Sequence, residues 1–335
     1  MNKRLRAIGE QLLPAIAYGD AAGLPVETKS RAYIQEHYGR LDRLIPVTEN
    51  PFYVGEFDTG TWSDDTQLSL AVSRALIRAR RFDMQAIAEE HVKEYAATPQ
   101  ITKPSGQVIK RGWGGSTTHS VERRMQGVDI AACGEVGGAG NGVIMKMAPL
   151  AFWLVATSVD KDEAYQNLDA FTTFTHDSIE AQVATRVHYD TLHRLMVSSD
   201  TVRTIGAFAH MRAVAHEDIL HDNSHATSRA LTYLSDTHDA MTDQVILTHT
   251  DGKGFYVPET LAMAYGAFMA ANGDYNDSVY TAVNLGGDTD SLGSIVGSMS
   301  VCANAGVTRK PRDFTRTSEY FMLSSVSREL AGTTD

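Results

Sequence analysis

Asn284-Leu-Gly-Gly-Asp-Thr-Asp-Ser291 sets two acids, Asp288 and Asp290, between a glycine pair and a helical run of small residues from Leu292 to Gly306. Acids two apart with a hydroxyl beside them, at the mouth of a helix, read as half of a site for a hard cation. The ordinary rival is a pair of acids resting near the positive end of a helix dipole. More than 200 residues earlier, Trp62-Ser-Asp-Asp-Thr66 repeats the arrangement, with Ser63 in an N-cap position and Asp64 and Asp65 at the mouth of the run Gln67 to Arg81. Together the segments offer four carboxylates and two hydroxyls. That oxygen-only set suits Mg²⁺, Mn²⁺ or Ca²⁺ and suits zinc poorly. Two divalent cations about 3.5 to 4 Å apart would neutralise acids that otherwise repel, and would polarise an oxygen or activate a water.

Outward from these segments the chain reads as helical. Apolar residues recur at three-to-four spacing over Leu5 to Tyr18, Gln67 to Arg80, Met84 to Tyr95, Val143 to Ala156, Ser178 to Met196, Pro258 to Ala271, Ser278 to Asn284 and Leu292 to Ala305. Ser63, Asp83, Asp177 and Asp277 stand as N-caps, and Gly127 and Gly273 as C-caps. Alternating runs are almost absent, and no linker, repeat or charge block marks a boundary. The expected architecture is all-α, a single compact multi-helix domain over residues 1–335, with function on the glycine-rich joints.

The 335 residues carry a formal charge of −11, with no clustered Lys and Arg, which argues against a nucleic-acid binder. The first residues are too polar for a signal-peptide core, and no stretch approaches the roughly 18 to 20 apolar residues of a membrane span. Cys133 and Cys302 read as two buried free thiols, so the cytoplasm is the expected compartment.

Other segments carry chemistry less specifically. Gly19-Asp20-Ala-Ala-Gly23-Leu-Pro-Val-Glu27 reads as a helix ending in a glycine-punctuated loop that bears two acids, with Glu27 able to reach the metals from a mobile loop. Gly138-Ala-Gly140-Asn-Gly142, ahead of the run from Val143, offers backbone N–H groups to a phosphate but lacks the flanking strands of a dinucleotide fold. Thr175-His176-Asp177 reads as the opening of a helix, with Glu180 on the face of His176. Trp113, amid Gly112, Gly114 and Gly115, stacks on a base or sugar or plugs the packing, and the pair Phe255-Tyr256 poses the same choice.

In this order the segments resemble the ADP-ribosylglycohydrolase family of metal-dependent ADP-ribosylhydrolases. The resemblance runs through Gly19-Asp20 to Glu27, Thr61-Trp-Ser-Asp-Asp-Thr66, Gly140-Asn-Gly142 with Met145 and Pro149, Thr175-His176, Gly254-Phe-Tyr-Val-Pro-Glu-Thr-Leu261 and Ala282 to Asp290, roughly residues 12 to 306. It implies an all-α fold with two Mg²⁺ or Mn²⁺ ions, held by Ser63, Asp64, Asp65, Asp288, Asp290 and Ser291, and Glu27 on a loop covering them. It implies that Gly138, Gly140, Asn141, Gly142 and His176 hold the diphosphate and ribose of ADP-ribose, and that Gly254 and Tyr256 face the adenosine, with Trp113 a further contact. The implied reaction hydrolyses the bond between ribose C1″ and a modified side chain, with Asp64, Asp65, Glu27 and Asp288 as candidates for handling protons. The implied partner is an ADP-ribosylated protein or a small ADP-ribose conjugate.

Two departures accompany the resemblance. Lys146 stands where relatives often carry arginine, a point charge in place of a fork. No Asp or Glu lies between Glu94 and Glu122, where arginine-directed relatives commonly place an acid against the guanidinium. The alternatives are a hydrolase of other ADP-ribose or nucleoside derivatives and a catalytically silent ADP-ribose-binding protein.

Overall fold

A computed structural model describes residues 1–103, 105–198, 202–236, 241–308, 312–315 and 317–334. The chain opens with α1 (Lys3–Gly23) and α2 (Arg31–Tyr38), then α3 (Asp64–Ala79) and α4 (Met84–Ala97). A short antiparallel hairpin, β1 (Gln100–Thr102) and β2 (Val108–Lys110), precedes α5 (Gly115–Met125). Next come β3 (Glu135–Val136), α6 (Ala148–Ala156), α7 (Lys161–Thr175), β4 (His176–Asp177), which pairs parallel to β3, and α8 (Ile179–Val197). The chain continues through α9 (Ile205–Leu220), α10 (Ala226–Asp236), α11 (Asp243–His249), α12 (Val257–Ala270), α13 (Tyr275–Val283), α14 (Thr289–Ala303), α15 (Arg312–Thr315) and α16 (Ser318–Gly332). The all-α expectation holds.

Local chemistry explains the helix starts. Ser63 accepts the N–H of Asp65, and Asp83 accepts those of Gln85 and Ala86, both as expected. The expected caps at Asp177 and Asp277 fall short: Ser178 caps α8, and Asp274 caps α13 by accepting the N–H of Asp277. The expected run from Val143 starts as a helix only at Ala148, because Asn141–Val143 forms a single 3-10 turn against the cleft. Helices such as α2 and α5 escape periodicity because each buries only one to three residues, too thin a stripe to register.

α1 is the central post, buried from Leu12 to Gly23 and packed chiefly on α14 and α16. It runs on through Gly19 and Asp20 rather than ending there, which corrects the expected loop. The reason is contact: a Cβ at Gly19 would lie 2.0 Å from the carbonyl oxygen of Gly293, and one at Gly23 would lie 2.1 Å from that of Thr289. These glycines let two backbones touch instead of breaking a helix. Pro14 cannot donate to the preceding turn. Near it, the Ser327 hydroxyl of α16 inserts into the ladder, donating to the Gly9 carbonyl at 2.6 Å while accepting from Leu13 N at 3.2 Å.

Arg4 fastens the entry of α1 to two distant helix ends. Its guanidinium donates to the carbonyls of Leu195 and Met196 in α8 and of Cys302 and Ala303 in α14, at 2.8 to 3.0 Å. These are last-turn carbonyls, which lack partners within their own helix and sit at its negative end. Among the described residues no helix is long and apolar enough to cross a membrane. Cys133 and Cys302 are buried and free.

Candidate metal centre and cleft

The two acidic mouths meet. Asp20, on α1, accepts the Ser63 N–H through both carboxylate oxygens at 2.9 Å, and the Thr66 N–H and hydroxyl at 3.1 and 2.6 Å, so it clamps the start of α3. Asp65 turns toward α14, where Ser294 donates to Oδ1 at 2.6 Å and the hydroxyls of Ser63 and Ser291 stand 3.3 Å from Oδ2. Asp288 accepts Asn141 Nδ2 at 2.6 Å, and Glu27 accepts Asn50 Nδ2 at 2.7 Å. The Glu27 loop is tied to the turn before α14: Thr28 N donates to the Gly287 carbonyl and Gly287 N to the Lys29 carbonyl, each at 2.8 Å.

Glu27, Asp288 and Asp290 bring one carboxylate oxygen each within 4.8 Å of one another. Among the described residues, Asp290 Oδ1 is buried with no hydrogen-bond partner. Burial, and then the charge of Asp290, pushes the carboxyls of Glu27, Asp64, Asp65 and Asp288 well above the usual range, and lifts Asp20 to about 7. Burial also raises Asp290 itself. Acids crowded in this way, with an orphaned oxygen among them and hydroxyls alongside, fit a hard divalent cation. Asp288, Asp290, Glu27, Asp64 and Asp65 are the residues that would hold it, with Ser63 and Ser291 at the margin.

This crowding has a pH signature. Without cations the folded chain keeps protons on carboxyls that the unfolded chain releases near 3.8, so stability falls as pH rises from there through about 7. The thermal midpoint of metal-free protein should be lower near pH 7 than near pH 5. Mg²⁺ or Mn²⁺ should raise it most near pH 7. Calorimetry showing no cation effect at either pH would remove the metal centre.

Above the acids opens a cavity of about 570 Å³, lined among others by Glu27, Asp64, Asp65, Asp288, Asp290, Ser291, Gly140, Asn141, Gly142, His176 and Trp113. Of the expected contacts, Gly138 lies behind the wall, its carbonyl accepting the Ser178 hydroxyl at 2.7 Å. Trp113 is a wall residue whose indole N–H donates to Gln67 at 2.9 Å and whose ring meets Tyr95 edge-on. Of the aromatic pair, Phe255 lines the cavity, whereas Tyr256 is bridged to Gly140 through the backbone. Gly254 stands just behind, its carbonyl accepting from Asn141. His176 ends α7 instead of opening α8, so Glu180 does not share a helical face with it.

Burial pulls His176 down to about 3, helped by the nearby Lys146 charge, so the ring is neutral and Nδ1 pairs with the Thr175 hydroxyl at 2.8 Å. Lys146 is itself wholly buried, which brings its amine to about 7, with Asp64 opposing the shift. Sequence reading missed Asn50, Ser294 and the lysines of the hairpin. Only Ser294 left a trace, lying one turn beyond Ser291 on the same face.

An all-α fold closed around an oxygen-only acidic centre defines the class. The sequence matches the family model for ADP-ribosylglycohydrolase over residues 4–320, and the chain belongs to that family. Among its relatives, the ADP-ribosyl-[dinitrogen reductase] glycohydrolase of Rhodospirillum rubrum is 24% identical over 298 residues, covering 88% of this chain and 84% of its own. An uncharacterized protein of Archaeoglobus fulgidus is 23% identical over 289 residues, covering 85% and 83%. A solved structure titled ADP-ribosylglycohydrolase-related protein complex shares the fold, with a TM-score of 0.71, 22% identity and 99% coverage of both chains.

Proposed function

We propose that this protein is a metal-dependent ADP-ribosylhydrolase that cleaves the bond between ribose C1″ and an acceptor, releasing ADP-ribose. The observation that carries this reading is the orphaned Asp290 Oδ1 amid buried acids at the floor of a cavity. Two Mg²⁺ or Mn²⁺ ions at that floor would orient the ribose hydroxyls and activate water. The chain's own residues divide the remaining work. Asp65, with both oxygens engaged by serine hydroxyls, sets the register between α3 and α14.

Asp64 lines the cleft with no side-chain hydrogen bond among the described residues, and burial leaves it proton-seeking. With Glu27 it is best placed to exchange a proton with the leaving group as the oxocarbenium-like state forms. Asn141 holds Asp288, and the neutral ring of His176 faces Gly140 and Gly142, where the diphosphate and ribose would rest. The cytoplasmic setting belongs to the same reading, since two buried free thiols suit a reducing compartment.

The test is release of ADP-ribose from serine-, arginine- and small-molecule-linked conjugates by purified protein with Mg²⁺ or Mn²⁺. A chelator should abolish release and the cation restore it. Inertness on every conjugate with both metals overturns the proposal.

A further inference from the structure

The acidic floor has two flanks. On one, a Cβ at Gly254 would stand 3.6 Å from the Asp288 Cβ, beside Asn141. On the other, a Cβ at Gly112 would stand 3.3 Å from Asp64 Oδ1. With adenosine toward Gly254, as the family resemblance implies, the group leaving C1″ lies toward Gly112, Trp113 and the β1–β2 hairpin.

That flank is basic. Lys103 and Lys110 line the cavity half-buried, each laid over an aromatic ring, Lys103 at 4.3 Å from the centre of Phe52 and Lys110 at 4.8 Å from that of Tyr95. Among the described residues neither amine has a carboxylate within ion-pairing distance. Among the described residues Lys110 makes one hydrogen bond, to the Thr98 carbonyl at 2.8 Å, which leaves two donors for a ligand. The acid on this flank, Glu122, accepts the Tyr95 hydroxyl at 2.5 Å. A guanidinium placed here would meet two ammonium groups, and an anion would meet complementary ones. The chain's charge of −11 disfavours the end of a nucleic acid as that anion.

Resting on the preceding reading, we propose that the acceptor side takes an anionic leaving group on a small conjugate, phosphate linked through oxygen to C1″. Water forms the new C1″–O bond. The old C1″–O bond breaks with its electron pair passing to phosphate, and one water proton ends on the released phosphate or on Asp64. An ester that carries one proton departs as hydrogen phosphate, which asks no proton of Glu122, engaged here by Tyr95.

The experiment compares ADP-ribose 1″-phosphate, an ADP-ribosylguanidine and a neutral serine-amide conjugate, with wild type, Lys103→Glu/Lys110→Glu and Lys103→Gln/Lys110→Gln. Wild type should favour the phosphate over the guanidine at least tenfold in kcat/KM. The charge-reversed variant should lose about 30-fold or more on the phosphate, from two charge-assisted contacts, and less than twofold on the neutral conjugate. The glutamine variant should fall between, and salt should erode the wild-type preference.

Equal losses on both conjugates, or no loss, overturn the proposal. If wild type cleaves the neutral conjugate but not the phosphate, this inference fails and the proposed function stands. Inertness on all three conjugates overturns both.

Discussion

Asp290→Asn lowers ADP-ribose release by about a thousandfold or more while raising the thermal midpoint of the metal-free protein. The activity loss follows from removing the acid whose Oδ1 has no partner among the described residues, where several kcal/mol of charge stabilisation by a cation would be anchored. The stability gain has a separate source. The charge of Asp290 comes next after burial among the causes that raise Asp20, Glu27, Asp64, Asp65 and Asp288, so a neutral amide relieves all five at once. The paired readout separates a lost centre from a lost fold: a misfolded variant loses activity and midpoint together. The variant should also lose most of the stabilisation that Mg²⁺ or Mn²⁺ confers on wild type. A variant that retains full turnover removes Asp290 from the centre.

Gly19→Ala should abolish folding or cost at least about 4 kcal/mol, beyond the range of ordinary substitutions. Its Cβ would fall 2.0 Å from the Gly293 carbonyl oxygen, and the reciprocal change, Gly293→Ala, would fall 2.2 Å from that of Gly19. Backbone on both sides leaves no flexible group to give way. The opposite expectation applies to Gly115→Ala, at the start of α5, where nothing lies within 4 Å of the added methyl and alanine favours the helix. Denaturant unfolding of the three variants checks the contrast. A soluble Gly19→Ala protein with an unchanged midpoint would show that α1 and α14 do not pack as described.

The acidic mouths were legible because they are local: an N-cap serine and adjoining acids at a helix start write themselves into a few consecutive residues, at Ser63 to Asp65 and Asp288 to Ser291. The helical class was legible from long apolar stripes. Features made by distance were not. Asp20 looks like a loop acid until its four hydrogen bonds to Ser63 and Thr66 across 43 to 46 positions are seen. Gly19 and Gly23 look like helix breakers because sequence shows a missing side chain but not the backbone that fills its place. The 3-10 turn at Asn141 and the position of His176 after α7 were hidden for a related reason: tertiary contacts, rather than propensity, decide where those helices begin and end. The basic hairpin left no motif, since two lysines near aromatic rings are unremarkable until both face one cavity.

The Arg4 clamp and the α1–α14 contact impose an order in time. Thr289 bonds the Gly23 carbonyl across 266 positions, so α1 emerges from the ribosome long before its partner exists, a wait of roughly 13 to 53 s at common elongation rates. Through that interval α1, buried from Leu12 to Gly23 in the finished fold, has no α14 to cover it. Asp64 and Asp65 likewise stand apart from Asp288 and Asp290 in the chain, so the acidic floor is complete only once the late helix α14 has docked.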